Sequence, residues 1–313
     1  MTRYREHRRL VLLGAACLAA ALVAAGCGRS GPAPVTHSAS GPRFVVVAAE
    51  NFWGNLATQL AGDRASVSSI IVNPAADPHS YQPSTADGRR IAGANMVIVN
   101  GLGYDEWAEQ LLRASPSSAR VVLDVGHTLE LPSGSNPHRW YFPGDVHTVI
   151  GAIVAGYDRL DPADAPYFAA RRAQLETQGL ARYDALRREI RARYAGVPVG
   201  YSESIFQRLG EDLGLKLLTP PRFARAVAEG TDVTASDKQA VDEQARKRQI
   251  AVWVFNSQNV TPDVQRVNEL ARGAGVPITT VTETLSPASD SFEQWQVAQL
   301  EGLARALRQA TGR

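Results

Sequence analysis

Short apolar runs separated by helix-length segments govern what this chain can fold into. Residues 44–48, 67–72, 96–99 and 121–125 each read as a strand of a few residues. Helices are expected between them: from a cap at Asn51 to Gly62, over 84–92 and over 104–113. The series repeats after Gly196. Strands are expected at 197–200, 216–219, 250–254 and 278–281. Helices are expected at 204–213, at 236–247 with Ser236 as cap, at 262–273, and from Phe292 to the C-terminus. Largely apolar strands that alternate with helices point to parallel sheets covered on both faces. The fold class is therefore α/β, with two lobes of similar design.

Between the two series, Asp161-Pro162 starts a helix. Apolar residues such as Leu175 and Ile190 then recur among Arg and Glu up to Ala195-Gly196. About thirty residues at about 1.5 Å each make roughly 45 Å of helix. Pro166 disturbs its first turn, and Gly179 weakens it midway. A flexible linker would be short and rich in Gly or Ser. A long helix is instead a stiff spine, so limited lobe motion is expected. The expected division is a segment for export at 1–26, a tether at 27–42, a first lobe at 43–158, the spine at 159–195 and a second lobe at 196–313.

The N-terminus reads as an address. Arg3, Arg5, Arg8 and Arg9 precede an uncharged stretch from Leu10 to Ala25, and Ala24-Ala25-Gly26-Cys27 follows. Basic, apolar and small-residue regions in that order are a secretory signal. The stretch is shorter than the roughly 20 residues of a membrane span. Cys27 after Ala-Ala-Gly resembles a bacterial lipobox, which implies lipidation at Cys27. Residues 28–42 are mostly Gly, Pro, Ser and Ala, a tether too poor in apolar residues to pack. An exported protein held at the membrane by a lipid anchor, facing the periplasm or the cell exterior, is the expectation.

Composition removes several function classes. Cys17 and Cys27 are the only cysteines, so a disulfide-stapled fold and a cysteine metal cluster are both excluded. Residues after Gly26 carry 29 basic and 30 acidic side chains, which leaves no nucleic-acid footprint. No His-Glu-x-x-His, phosphate-loop or Gly-x-Ser-x-Gly motif occurs.

Two of the six histidines sit in loops and directly follow proline: Pro78-His79 and Pro137-His138. Proline fixes φ and stiffens the loop, so each imidazole is held. Loops at the C-terminal ends of parallel strands are where α/β folds bind ligands. His127 reads as a surface residue and His147 as a helix residue of the first lobe. Asn256-Ser257-Gln258 follows another strand, and the amide of Asn256 could orient a ligand or simply close a turn. The Asn259-Val260-Thr261 sequon carries no meaning if the chain is bacterial.

Asp77-Pro78-His79-Ser80-Tyr81-Gln82-Pro83-Ser84 resembles the D-P-H-x-[FY]-x-P-[ST] loop of the cluster A-I solute-binding proteins of zinc and manganese ABC transporters. Asn136-Pro137-His138-Arg139-Trp140-Tyr141 is similar to that family's second loop, [DN]-P-H-x-W. The resemblance covers nearly all of the chain after the tether. It implies four metal ligands, two from each lobe: His79, His138, Glu203 in Tyr201-Ser202-Glu203-Ser204, and Glu283 in Val281-Thr282-Glu283-Thr284. Ser202 and Asn256 are candidates to stand behind these ligands and orient them. Glu283 departs from the family's usual Asp, and Phe142 from the Asp of its W-x-D-P. Two neutral imidazoles and two carboxylates around a dication carry no net charge, and the set suits Zn²⁺, Mn²⁺ or Fe²⁺. The implied function is capture of Mn²⁺ or Zn²⁺ in the cleft between the lobes and delivery to an ABC permease driven by its ATPase. The protein would act as a monomer and catalyse nothing. Two rivals remain at this point: a surface adhesion lipoprotein with a structural metal site, and a metallohydrolase.

Overall fold

The computed structural model describes residues 43–76 and 81–313. The export segment, Cys27, the tether, and Asp77 to Ser80 with His79 lie outside the described residues. The first half runs β1 (Phe44–Glu50), α1 (Asn51–Ala61), β2 (Ala65–Ile71), α2 (Thr85–Gly93), β3 (Met96–Val99), α3 (Glu106–Ala114), β4 (Val121–Asp124) and the short α4 (Val125–Thr128). Its strands are parallel in the order β2-β1-β3-β4. Val46 stands opposite both Val67 and Met96. Val46, Ala48, Met96 and Ile98 face one apolar cluster. Val47, Ala49, Val97 and Val99 face another on the opposite side. Burial on both faces is why these strands read as unbroken apolar runs.

Helix α5 (Pro143–Leu160) follows, then a 3₁₀ turn at Pro162–Asp164, α6 (Ala165–Gln174), a π-helical stretch at Leu175–Gly179 and α7 (Ala181–Tyr194). The long helix is thus present but interrupted near its middle, at the glycine the sequence marks. A Cβ at Gly179 would stand 2.9 Å from Leu175 Cδ1, so the wide turn and the missing side chain accommodate each other.

The second half runs β5 (Pro198–Tyr201), α8 (Gln207–Asp212), β6 (Lys216–Leu217), α9 (Pro221–Ala228), α10 (Ala235–Arg246), β7 (Val252–Asn256), α11 (Pro262–Gly273), β8 (Ile278–Val281) and α12 (Phe292–Thr311). Its parallel order, β6-β5-β7-β8, repeats the first. The pattern does not reveal α9, whose eight residues carry too little period to stand out.

Two caps differ from expectation. Asn51 is the first helical residue of α1 rather than its cap, and Glu50 before it makes no side-chain capping bond. In α10 the cap is Thr234, which accepts from the main-chain N–H of Asp237, and not Ser236. Thr234 Oγ1 also donates to Asp237 Oδ2 at 2.7 Å, and that second bond favours it.

One apolar cluster runs through both halves, from Val46 and Trp53 through Tyr183 and Ile190 to Val199, Trp295 and Leu303. Helix α12 returns to the first half. Phe292 N–H donates to Asn55 Oδ1 at 2.9 Å, and Gln59 Nε2 to Glu293 Oε2 at 2.8 Å. In each sheet the connections diverge at the two central strands, β1/β3 and β5/β7. Ligands in such sheets bind at these switch points, beyond the carboxyl ends of the strands. Among the described residues no helix is long and apolar enough to cross a membrane.

Candidate metal centre

Three of the four implied ligands come together. His138, Glu203 and Glu283 are all buried, and one donor atom of each lies within 4.8 Å of the others. His138 opens the 3₁₀ turn Arg139–Tyr141, Glu203 follows β5, and Glu283 follows β8. Donors bound at about 2.1 Å stand at most about 4.2 Å apart across an ion, so only a small contraction is needed. His79 lies outside the described residues. His127 sits exposed in α4, and His147 lies on α5 near Glu176.

The neighbours of His138 fix its tautomer. Asn136 Nδ2 donates to Ser204 O at 2.8 Å, which sets the direction of that amide. Asn136 Oδ1 therefore accepts, from His138 N–H at 3.0 Å and from Nδ1 at 2.8 Å. With Nδ1 protonated, the Nε2 lone pair points at the cluster, 3.5 Å from Glu283 Oε2. Burial pulls the imidazole pKa down to about 4 despite the charge of Glu203, so the ring is neutral near pH 7. An aromatic wall holds it. Trp140 stacks on Phe52 at 3.9 Å between centroids, and both Trp140 and Tyr104 meet the imidazole edge to face. Buried Arg139 pairs with Asp145 at the start of α5 and anchors the far side of the loop.

Each of the four carboxylate oxygens accepts a hydrogen bond. Asn256 Nδ2 donates to Glu203 Oε1 at 2.5 Å and to Glu283 Oε1 at 2.9 Å. Asn259 Nδ2 donates to Glu203 Oε2 at 2.8 Å, and Tyr104 Oη to Glu283 Oε2 at 2.8 Å. Asn256 is itself fixed, since its Oδ1 accepts from Gln258 N–H and its main-chain N–H donates to Ser202 Oγ. Ser202 thus acts on the main chain of Asn256 and not directly on a ligand. Burial, then the nearby Glu283 carboxyl, pushes the Glu203 carboxyl well up. Burial and Glu283 likewise push Tyr104 well up, so its hydroxyl stays a donor. Two carboxyls crowded in an apolar setting are a site short of positive charge. A dication would supply it, and every carboxylate oxygen keeps a further lone pair for one.

Tyr104, Asn136 and Asn259 have roles that the sequence reading does not assign. Tyr104 sits in a Gly-rich loop after β3, and Asn259 in a sequon without meaning for the site. Beside His138 a cavity of about 250 Å³ is lined by Leu102, Ser135, Ser204, Gln207, Arg225 and Glu229, among others.

Residues 46–306 match the family model described as zinc-uptake complex component A periplasmic. The manganese-binding lipoprotein MntA of Halalkalibacterium halodurans is 31% identical over 155 residues, 48% of this chain and 50% of that protein. The iron-binding protein YfeA of Yersinia pestis is 30% identical over 185 residues, 56% of this chain and 58% of that protein. The match thus spans about half the length of these relatives. The fold is that of the periplasmic zinc-binding protein TroA from Treponema pallidum, at TM-score 0.70 and 17% identity over 85% of this chain and 98% of that one. A manganese-bound periplasmic metal-binding protein from Candidatus Liberibacter asiaticus gives TM-score 0.70 and 20% identity over 85% and 100%.

Proposed function

The chain belongs to the zinc-uptake complex component A periplasmic family, and on that premise we propose that it captures a divalent transition-metal ion between its two halves for an ABC importer. The observation that carries the reading is the buried His138, Glu203 and Glu283 cluster, with every carboxylate oxygen held by a protein donor. His79 is the fourth ligand in this reading, supplied by the loop between β2 and α2. Asn256, with Ser202 behind it, orients the two carboxylates.

The cargo is Mn²⁺ or Zn²⁺, with Fe²⁺ acceptable to the same donors. Imidazole and carboxylate together suit all three, and geometry and supply decide among them more than affinity does. The lobes are residues 43–158 and 196–313, joined by the helical spine at 159–195. Lipidated Cys27 holds the body beside its permease and ATPase, where a tether raises the local concentration for hand-over. The protein works as an exported monomer, and four protein ligands leave the ion no position at which to activate water for catalysis.

The test is competition against a chromogenic chelator. The metal-stripped protein takes up one Mn²⁺ or one Zn²⁺ per chain. His79→Ala, His138→Ala and Glu203→Ala each weaken binding by at least about tenfold, the scale expected of a lost ligand or its support. Wild-type affinity in all three variants would remove the assignment.

A further inference from the structure

Glu50 ends β1 at the switch point of the first sheet and is fully buried, and nothing in the metal reading uses it. No side-chain donor reaches either of its oxygens. What it meets is the carboxyl of Asp105, within hydrogen-bonding reach, with its own main-chain N–H as the one favourable dipole. Two buried carboxyls in contact do not both ionise, so one keeps a proton.

The surroundings decide which one. Asp105 accepts the main-chain N–H groups of Asn100 at 2.7 Å and Gly101 at 2.8 Å, and both favour its charged form. Glu50 has no comparable support. Burial and the Asp105 charge push its carboxyl well up, while Asp105, buried near Glu109 and Asp124, rises to about 7. Of the two, Glu50 is therefore the one that keeps the proton.

Asp105 is the staple of a turn that reaches the metal centre twice. Asn100, whose Oδ1 accepts from Trp53 Nε1 at 3.0 Å, donates through Nδ2 to Pro137 O at 3.0 Å, one residue before His138. Tyr104, next to Asp105, donates to Glu283 at 2.8 Å. Gly101 takes φ +68° inside the same turn.

We propose that Glu50 is a positioning residue of the metal centre: as a neutral acid it donates a hydrogen bond to Asp105 and so holds the turn that aims His138 and Glu283. The proposal rests on the metal-binding reading above. Glu50 acts through Asp105, as a buried donor whose loss leaves the staple without its support.

The test compares the unaltered protein with Glu50→Ala and Glu50→Gln. Affinity for Zn²⁺ and Mn²⁺ is measured between about pH 6 and 8, and thermal melting is followed in chelator. Glu50→Ala weakens both metals by about 10- to 100-fold, the usual effect of losing a group behind the ligands. Glu50→Gln, which keeps a neutral donor, restores affinity to within about threefold of the unaltered protein and leaves its pH profile unchanged. Unaltered affinity in Glu50→Ala overturns the proposal. So does a loss in Glu50→Gln as large as in Glu50→Ala, because the site would then need the charge. If Glu50→Ala does not fold, Glu50→Gln alone decides, and a tenfold loss contradicts the proposal. Failure of the unaltered protein to bind either ion would instead remove the metal-site reading itself.

Discussion

At the residue scale, Asn256 does the most with one side chain. Its Nδ2 donates to both Glu203 and Glu283, and so holds the two carboxyls side by side. Hydrogen bonds to charged groups contribute about 1.5–3 kcal/mol each. Asn256→Ala should therefore weaken metal binding by about 10- to 100-fold, measured by chelator competition. Asn256→Asp should do at least as much harm, because it adds a third carboxylate to a site already crowded with negative charge. Glu203 and Glu283 were legible through the resemblance to the family, which implies a ligand after the first and after the last strand of the second lobe. Tyr104 and Asn259 were not legible. They reach Glu283 and Glu203 from other elements, and no local pattern marks a residue whose partner is far away in the chain.

Protonation gives a second prediction at this scale. The Glu203 carboxyl is held well above its ordinary range in the metal-free fold, and Asp105 is held at about 7. A carboxyl raised on folding binds more protons folded than unfolded. Its stabilising effect is complete below the unfolded value and is lost as pH rises through the folded one. His138, lowered to about 4, has the opposite sign and acts only between there and its unfolded value of about 6.5. Above about pH 6.5 the carboxyls alone remain, so melting of the metal-free protein should fall from there toward pH 8. Glu203→Gln should flatten that fall. A metal-free melt that rises over this interval would contradict the assigned protonation.

At the element scale, the turn after β3 bears the greatest constraint. Gly101 has φ +68°, and a Cβ there would meet Asp124 Oδ1 at 2.4 Å. Gly101→Ala therefore adds left-handed strain of about 1–2 kcal/mol to a clash, and it disturbs the turn that carries Tyr104 and Asn100. Both melting temperature and metal affinity should fall. Loss of stability alone, with affinity intact, would detach the turn from the site. In the second sheet, a Cβ at Gly200, in β5 shortly before Glu203, would meet Ile250 Cδ1 at 2.7 Å and Trp253 Cε3 at 2.8 Å. Gly200→Ala should cost about 1–3 kcal/mol by overpacking, read from denaturant unfolding.

The eight strands of the described residues were all legible, most plainly β1 and β3, whose burial on both faces leaves nearly unbroken apolar runs. The interruption of the long helix was legible at Gly179, although not its π-helical form. Capping was less so. Thr234 and Ser236 are both plausible caps in the sequence, and only the reciprocal bond with Asp237 separates them.

At the scale of the whole molecule, the two halves share an apolar cluster and cross-connecting bonds. Leu285 N–H donates to Asn51 Oδ1 at 3.2 Å, and Tyr141 Oη lies 2.7 Å from Gln299 Oε1 and 2.9 Å from Thr282 O. These ties lie close to Glu283 and join the first half to the loop that carries it. In the proposed reading, an ion held by His138 from one half and by Glu203 and Glu283 from the other would add a further tie. At 100 times its dissociation constant such an ion stabilises the folded state by about 2.7 kcal/mol. Melting should rise accordingly as one transition, and the rise should disappear in Glu203→Ala.

The most direct measurement is the position of the ion in crystals of the metal-loaded protein, found from anomalous scattering at the Mn or Zn absorption edge. One strong peak is expected within bonding distance of His138 Nε2 and of oxygens from Glu203 and Glu283, with His79 completing the set. A peak elsewhere, or none at these residues in protein that binds one ion per chain, would contradict it.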